Sequence, residues 1–414
     1  MKVVIMAGGK GTRIASVNSD VPKPMIPIDG KPILEYQINA LAAQGYCEII
    51  LIIGHLGHVI RDYFEDGSKW NVQISYIEEN TPLGTAGALF YLKEQIKDDF
   101  LLLNGDIIFD VDIRRFLAYH KAQGTMATIL THPNSHPYDS GIIVADNDGR
   151  ATNWLHKEDP RLWYRNRVNA GLHMLSPRIF SFFSDLQKKD LDRDILKPLI
   201  IQRELSVYDS PEYIKDMGTP DRYYSVIEDI HSGKVAAKNL ARKQKAIFLD
   251  RDGTINKYVG FLTNIDEFEL LDGVAEAIRQ INESGYLANV ASNQPVIARG
   301  EVSPEELQEI HNKMETLLGQ KGAYLDAIFY CPHHPHKGYE GERPEYKIEC
   351  ECRKPKPGML LAAAEKYNID LTQSWMIGDS DNDIEAGQAA GCRVIKVNTN
   401  SSELSSAVKM ILNQ

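Results

Sequence analysis

Two α/β domains in tandem are predicted by three observations. The chain has 414 residues, more than one ordinary domain holds and enough for two of roughly 150–250 each. Short apolar runs alternate with helical stretches in both halves, the pattern of a parallel sheet with crossover helices. Each half also opens on an apolar run that leads straight into groups suited to phosphate. Val3-Val4-Ile5 precedes Met6-Ala7-Gly8-Gly9-Lys10-Gly11-Thr12-Arg13, and Ala246-Ile247-Phe248-Leu249 precedes Asp250-Arg251-Asp252-Gly253-Thr254. The ends of buried strands are where α/β proteins put their ligands.

In the first half the expected strands are 2–6, 49–53, 72–77, 100–103 and 126–130. From about 142 to 208 the pattern becomes irregular, as expected of an inserted substrate lobe. Residues 233–245 carry five lysines or arginines with alanines and no strand, and read as a helical or solvated connector. The boundaries are therefore set at 1–232, 233–245 and 246–414. The second half restarts the alternation with strands 246–249, 286–291, 327–330, 375–377 and 393–397. Its expected helices are 273–284, 304–318, 358–367 and 381–390.

Composition narrows the function classes. The formal charge is 46 − 57 = −11, which disfavours electrostatic binding to nucleic acid or anionic membrane. No run of ~18 apolar residues suggests a membrane helix, and the first residues lack the pattern of a signal peptide. Five cysteines in a chain this long do not make a disulfide framework. The expectation is a cytoplasmic protein acting on small molecules.

Glycines at 8, 9 and 11 let backbone N–H groups approach a polyphosphate, beside Thr12, and Arg13 can neutralise departing charge. Lys23 stands between Pro22 and Pro24, which fix an extended backbone and aim its ammonium group. Pro82-Leu83-Gly84-Thr85-Ala86-Gly87 is a second small-residue loop, suited to contact with a flat base. The run Phe100–Leu103 delivers Asp106 to a strand end, and Asp216 is available as a second oxygen ligand. As an ordered set these residues resemble the sugar-1-phosphate nucleotidyltransferases over about 1–230. The resemblance implies attack by a sugar-1-phosphate oxygen on the α-phosphorus of a nucleoside triphosphate, with pyrophosphate leaving. It also implies Mg²⁺ on Asp106 and Asp216, phosphate contacts by Arg13 and Lys23, sugar contacts by Asn169 and Gly171, and a place for Lys157 near the sugar phosphate. One departure stands out: the family's usual Glu before that lysine is His156 here.

In the second half, Asp250 and Asp252 are spaced by two, so an extended backbone sends both carboxylates the same way. One can attack phosphorus while the other handles the leaving group's proton. Ser292-Asn293-Gln294 offers hydroxyl and amide donors for phosphoryl oxygens, Arg353-Lys354 supplies cations, and Asp379 and Asp383 bring further carboxylates for Mg²⁺. Cys331-x-His333 and Cys350-x-Cys352 can supply four ligands for a structural, tetrahedral Zn²⁺, with His334 the rival to His333 and His336 read as solvated. Cys47 and Cys392 read as ordinary buried thiols.

This set resembles the haloacid dehalogenase-like phosphatases. The resemblance makes Asp250 the nucleophile, Asp252 the acid/base, Ser292 a phosphate ligand and Lys354 the charge stabiliser, with Lys356 competing for that last role. It places Mg²⁺ on Asp250, Asp252 and Asp379, with Asp383 in support. Within that family, the zinc knuckle followed at once by Arg353-Lys354-Pro355, together with residues 297–300, is similar to heptose 1,7-bisphosphate 7-phosphatases. Histidinol-phosphate phosphatases are the nearest alternative. Arg299 and Arg353 become candidates for the distal phosphate.

Together the resemblances imply two Rossmann-like α/β domains. The first is a nucleotidyltransferase with a mixed sheet; the second is a dehalogenase-like domain with a small zinc knuckle. The expected substrates are heptose phosphates and a nucleoside triphosphate, with GDP-heptose as product. The alternative is a transferase for another sugar or base, fused to a histidinol-phosphate-like phosphatase.

Overall fold

The computed structural model describes residues 1–9 and 21–414. Packing divides the chain into two units. The first holds residues 1–132, 143–154 and 169–236, and the second 133–142, 155–168 and 237–414.

In the first unit the strand Val3–Met6 runs parallel to Glu48–Ile53 on one side and to Phe100–Asn104 on the other. Gln73–Glu78 extends the parallel part, whereas Val168–Leu175 pairs antiparallel with Phe100–Asn104. The sheet is therefore mixed, with nine strands among the described residues. Its central strands read as unbroken apolar runs because both faces are covered. Val3 and Ile5 join one core with Leu51 and Leu103, while Val4 faces the other with Ile50, Ile52 and Leu102. The irregular region contains the strands Ile142–Ala145, Ala151–Leu155 and Leu205–Asp209, and a π-helical turn at Leu191–Leu196.

The second unit is built on five parallel strands. Their spatial order is Ala327–Cys331, Tyr286–Asn293, Lys245–Leu249, Trp375–Gly378 and Arg393–Lys396. The chain builds outward from Lys245–Leu249 in one direction and then returns to its other side. That reversal opens a crevice beyond the carboxyl ends of the central strands. The helix Pro304–Gly319 starts on a capping box in which Ser303 and Glu306 each accept a hydrogen bond from the other's backbone N–H, the sequence signature of a helix start. A terminal helix, Glu403–Leu412, beyond the last expected strand, packs Leu404, Val408 and Ile411 into the core.

The connector is only partly the solvated segment expected. Lys234–Ala237 is a short helix, but Lys238, Asn239 and Leu240 are buried. Leu240 enters a core of the second unit with Phe248 and Tyr367. Lys238 Nζ lies 3.4 Å from each carboxylate oxygen of Asp326, so a lysine that looked like solvated charge is neutralised inside. Burying that ammonium without a counter-ion would cost several kcal/mol.

Candidate active sites and metal centre

Strand ends assemble the second unit's site. Asp250 follows Leu249, and Lys354 reaches it from the segment after the knuckle. The ammonium donates to Asp250 Oδ1 at 2.7 Å and to the Ala291 carbonyl at 2.7 Å, and also to Asp383. Asp383 is fully buried, and its other oxygen accepts from Ser380 N at 3.0 Å and Oγ at 2.7 Å. Carboxylate oxygens of Asp250, Asp379 and Asp383 lie within 4.8 Å of one another. Hard oxygen donors so grouped fit Mg²⁺. Glycine is obligatory at two neighbouring positions: a Cβ on Gly253 would strike Asp379, and one on Gly378 would strike Asp383.

Burial pushes the Asp250 pKa up to about 7; Lys354 pulls the other way, and Asp383 and Asp252 add to the rise. A bound dication would reverse that rise. Asp252 behaves oppositely. Burial would raise it, but Arg251, Asn256 and Gln294 outweigh burial and hold its carboxyl below the usual range. Among the described residues the converging group consists of Asp250, Asp379 and Asp383, while the Asp252 carboxylate is held by Arg251, Asn256 and Gln294.

The other predicted residues sort by their partners. Ser292 is buried at the site and its Oγ accepts from Gln294 Nε2 at 2.9 Å. Asn293 braces Lys354 by two backbone hydrogen bonds, each 3.0 Å. Gln294 points at Asp252 and Ser292. Lys356 instead pairs with Glu351 at the surface, which leaves Lys354 as the lysine of the site. Arg353 donates to the His333 carbonyl at 3.1 Å. Arg299 is stacked between Phe261 and Tyr339, 4.2 and 4.4 Å from the ring centroids, and pairs with Glu301. Cation–π contacts and an ion pair thus already engage a side chain that sequence offered for a distal phosphate.

Cys331, His333, Cys350 and Cys352 converge. The sulfur–sulfur distances are 3.5, 3.1 and 3.2 Å, and His333 Nδ1 lies 3.7 and 3.3 Å from two of the sulfurs. These edges suit a tetrahedral ion with bonds of about 2.0–2.3 Å. Contact with Cys331 first, then with Cys350 and His333, lowers the Cys352 thiol to about 5 despite its burial, favouring the thiolate a metal needs. His333 occupies the fourth corner, while His334 accepts from the His336 backbone and lies outside the cluster. Of the two remaining cysteines, Cys392 is buried as expected, but Cys47 is exposed.

In the first unit a cleft of about 760 Å³ brings together Gly8, Gly9, Lys23, Gly84, Thr85 and Asp106. Gly11, Thr12 and Arg13 lie outside the described residues. Lys23 Nζ pairs with Asp106. The strand Tyr213–Asp216 runs antiparallel to Ile107–Asp110 with Asp216 opposite Ile107, and Met217 N donates to the Asp106 carbonyl at 2.9 Å. The two predicted ligand residues therefore sit on adjoining backbones. Burial raises the Asp216 pKa, but Arg222, 2.8 and 2.9 Å from its oxygens, more than reverses this, with Lys23 assisting.

Local packing explains several of the small residues. A Cβ on Gly84 or Gly87 would strike the carbonyls of Lys189 and Gln187, so these glycines are fixed by backbone packing as well as by any ligand. Thr85 Oγ1 accepts from Leu191 N at 2.7 Å. Gly171, at φ 76°, abuts the Asn104 amide, and Asn169 Oδ1 accepts from Gly171 N at 3.1 Å. Lys157 belongs to the second unit's segments, where it lines a separate depression with Arg161 and Tyr164. The cleft also holds His55, Glu79, Asn80 and Asn104, none of which the sequence singled out. Glu79 Oε1 is buried and has no hydrogen-bond partner among the described residues. Burial raises its pKa, opposed by the Leu83 backbone N–H.

Comparison with known proteins matches the nucleotidyl transferase family model to residues 2–233 and a HAD-hydrolase-like model to residues 351–411. A D-glycero-beta-D-manno-heptose-1,7-bisphosphate 7-phosphatase of Pasteurella multocida is 46% identical over 147 residues, 36% of this chain and 77% of that protein. Among solved structures, HddC from Yersinia pseudotuberculosis complexed with GMP-PN is 28% identical and covers 55% of this chain and 99% of its own, with a TM-score of 0.48. The D,D-heptose 1.7-bisphosphate phosphatase from B. bronchiseptica, complexed with magnesium and phosphate, is 33% identical over 41% of this chain and 99% of its own, with a TM-score of 0.37. No helix among the described residues is long and apolar enough to cross a membrane.

Proposed function

The chain belongs to the nucleotidyl transferase family through residues 2–233 and to the heptose-bisphosphate phosphatase relatives through its second part, and from that premise we propose two consecutive reactions on one sugar. The phosphatase, residues 246–414, removes the 7-phosphate of D-glycero-D-manno-heptose 1,7-bisphosphate. The transferase, residues 1–232, then joins the heptose 1-phosphate to GMP from GTP, releasing pyrophosphate and GDP-heptose. One observation carries the reading: a phosphatase whose relatives act on a 1,7-bisphosphate shares a chain with a transferase of a class that consumes sugar 1-phosphates.

In the phosphatase, Asp250 attacks phosphorus and Lys354, held against it at 2.7 Å, offsets charge on the phosphoryl group. Asp252 handles the protons and Ser292 the phosphoryl oxygens. Asp250, Asp379 and Asp383 would hold Mg²⁺, which would supply charge neutralisation at the transferring phosphate. Cys331, His333, Cys350 and Cys352 would hold a structural Zn²⁺, since four protein ligands leave no open position. In the transferase, Lys23 steadies the phosphates, and Asp106 with Asp216 is suited to the Mg²⁺ that accompanies a nucleoside triphosphate.

Glu79 supports guanine as the base. A carboxylate accepts two parallel hydrogen bonds from the N1–H and N2–H edge of guanine. Uracil and thymine present one N–H flanked by carbonyls, which would set acceptors against it. The buried, unpartnered Glu79 oxygen gains from such donors.

Incubating the whole protein with heptose 1,7-bisphosphate, Mg²⁺ and each nucleoside triphosphate, followed by mass spectrometry, tests both halves. GDP-heptose and two released anions, phosphate and pyrophosphate, are expected. Turnover of histidinol phosphate in place of the heptose, or another base in the product, would overturn the assignment.

A further inference from the structure

Arg251, between the two catalytic aspartates, is fully buried. A guanidinium cannot shed its proton in a protein interior, so its partners must be built in. Its Nε lies 3.1 Å from Asp252 Oδ1, and Nη2 lies 2.9 Å from both Asp252 oxygens. Nη2 also donates to Gln294 Oε1 at 3.0 Å, and Nη1 meets His311 Nε2 at 3.2 Å. The Gln294 amide closes the ring by donating to Asp252 Oδ2 at 2.8 Å and to Ser292 Oγ at 2.9 Å. Asn256 completes the set on Oδ1 at 3.0 Å. Asp252 is thus fixed from beneath by groups that all donate to it, while Gln294 ties its position to Ser292.

We propose that Arg251 is a positioning residue for the phosphatase reaction: together with Gln294 it sets where the Asp252 carboxylate stands for both proton transfers. The inference rests on the phosphatase reading above. In the first half-reaction Asp250 forms a bond to phosphorus, the bond from phosphorus to the sugar oxygen breaks, and the proton on Asp252 goes to that oxygen. In the second, water oxygen bonds to phosphorus, the aspartyl–phosphate bond breaks, and one water proton goes to Asp252. The other stays on the released phosphate, so each turnover restores both aspartates. Asp252 is a carboxylate while the covalent intermediate exists, the state in which every donor around it can be satisfied.

An aryl ester isolates the role, because nitrophenolate leaves without a proton, so that Asp252 takes part as the carboxylate and is needed only to accept the water proton of the second half-reaction. Rapid-mixing kinetics of the protein with Mg²⁺ and 4-nitrophenyl phosphate would be compared for the native chain, Arg251→Lys and Asn256→Ala, which removes another donor to Asp252 Oδ1. Failure of the native chain to release nitrophenolate would count against the phosphatase reading itself. Given native turnover, Arg251→Lys should keep a first turnover close to the native rate, releasing about one nitrophenolate per chain. Later turnovers should slow by about 10²-fold, the range of a lost acid–base contribution. Asn256→Ala should show the same burst with a smaller slowing, and carries the test should Arg251→Lys not fold. An equally slowed first turnover in Asn256→Ala, or unchanged steady-state rates in both variants, would overturn the inference.

Discussion

The two candidate sites use the same ingredients, carboxylates and cations at strand ends, with opposite exposure. In the second unit Asp250, Lys354 and Asp383 have side-chain exposures of 12, 2 and 0%, and one ammonium serves two carboxylates. In the first, Lys23 and Arg222 are 10 and 22% exposed, and the carboxylates they pair with, Asp106 and Asp216, are 28 and 43% exposed. The difference follows the chemistry proposed for each. A protein nucleophile attacking phosphorus gains from a dry, preorganised pocket where charge interactions are strong. A site that must admit a triphosphate and a sugar phosphate together needs an open cleft with separately paired groups.

The comparison breaks most sharply at Asp250. Asp250→Asn should cut phosphate release from the bisphosphate by about 10⁴-fold or more, the scale of a removed nucleophile. Nucleotide transfer to supplied heptose 1-phosphate should persist; loss of both activities would contradict independent sites. Asp106→Asn should do the reverse, lowering pyrophosphate release by about 10²–10³-fold and leaving phosphate release intact.

Acid should reveal a likeness beneath the contrast. Burial holds His173, on the strand Val168–Leu175, down to about 4, and His311 down to about 3, with Arg251 adding to the second effect. Each folded pKa is depressed, so the unfolded chain takes the proton first. Stability is full above the ordinary value near 6.5 and falls as pH drops from there towards 4. For His173 the loss approaches about 3 kcal/mol at pH 4 and is negligible at pH 7. Thermal melts of His173→Phe across that range should be flatter than those of the native chain; an unchanged slope would count against this account. Glu79→Gln should reduce the preference for GTP over other triphosphates by about 10–100-fold, read as a ratio of kcat/KM values, with little effect on the phosphatase.

Legibility in the sequence was high where chemistry follows an apolar strand. Asp250, Asp379, Asp106 and the cysteine knuckle each announce themselves by short spacing, and the alternation of elements exposed both sheets. What escaped depends on contacts distant in sequence. Glu79 follows a strand and reads as ordinary surface charge; only the close approach of Gly8 and Gly54 to its carboxylate makes it part of the cleft. Arg251 looks like a spacer between two aspartates, since spacing says nothing about a guanidinium reaching Gln294 and His311. Lys238 hides among solvated lysines until Asp326 shows where it goes. Arg299 shows the same limit, since spacing does not reveal that Phe261 and Tyr339 flank its guanidinium.

In the proposed order, dephosphorylation at one site supplies the sugar that the other activates. Mass spectrometry of full-length Asp250→Asn, given heptose 1,7-bisphosphate, GTP and Mg²⁺ and later heptose 1-phosphate, tests it most directly. GDP-heptose is predicted only after the 1-phosphate is added. A GDP-heptose still carrying its 7-phosphate before that addition would contradict the claim.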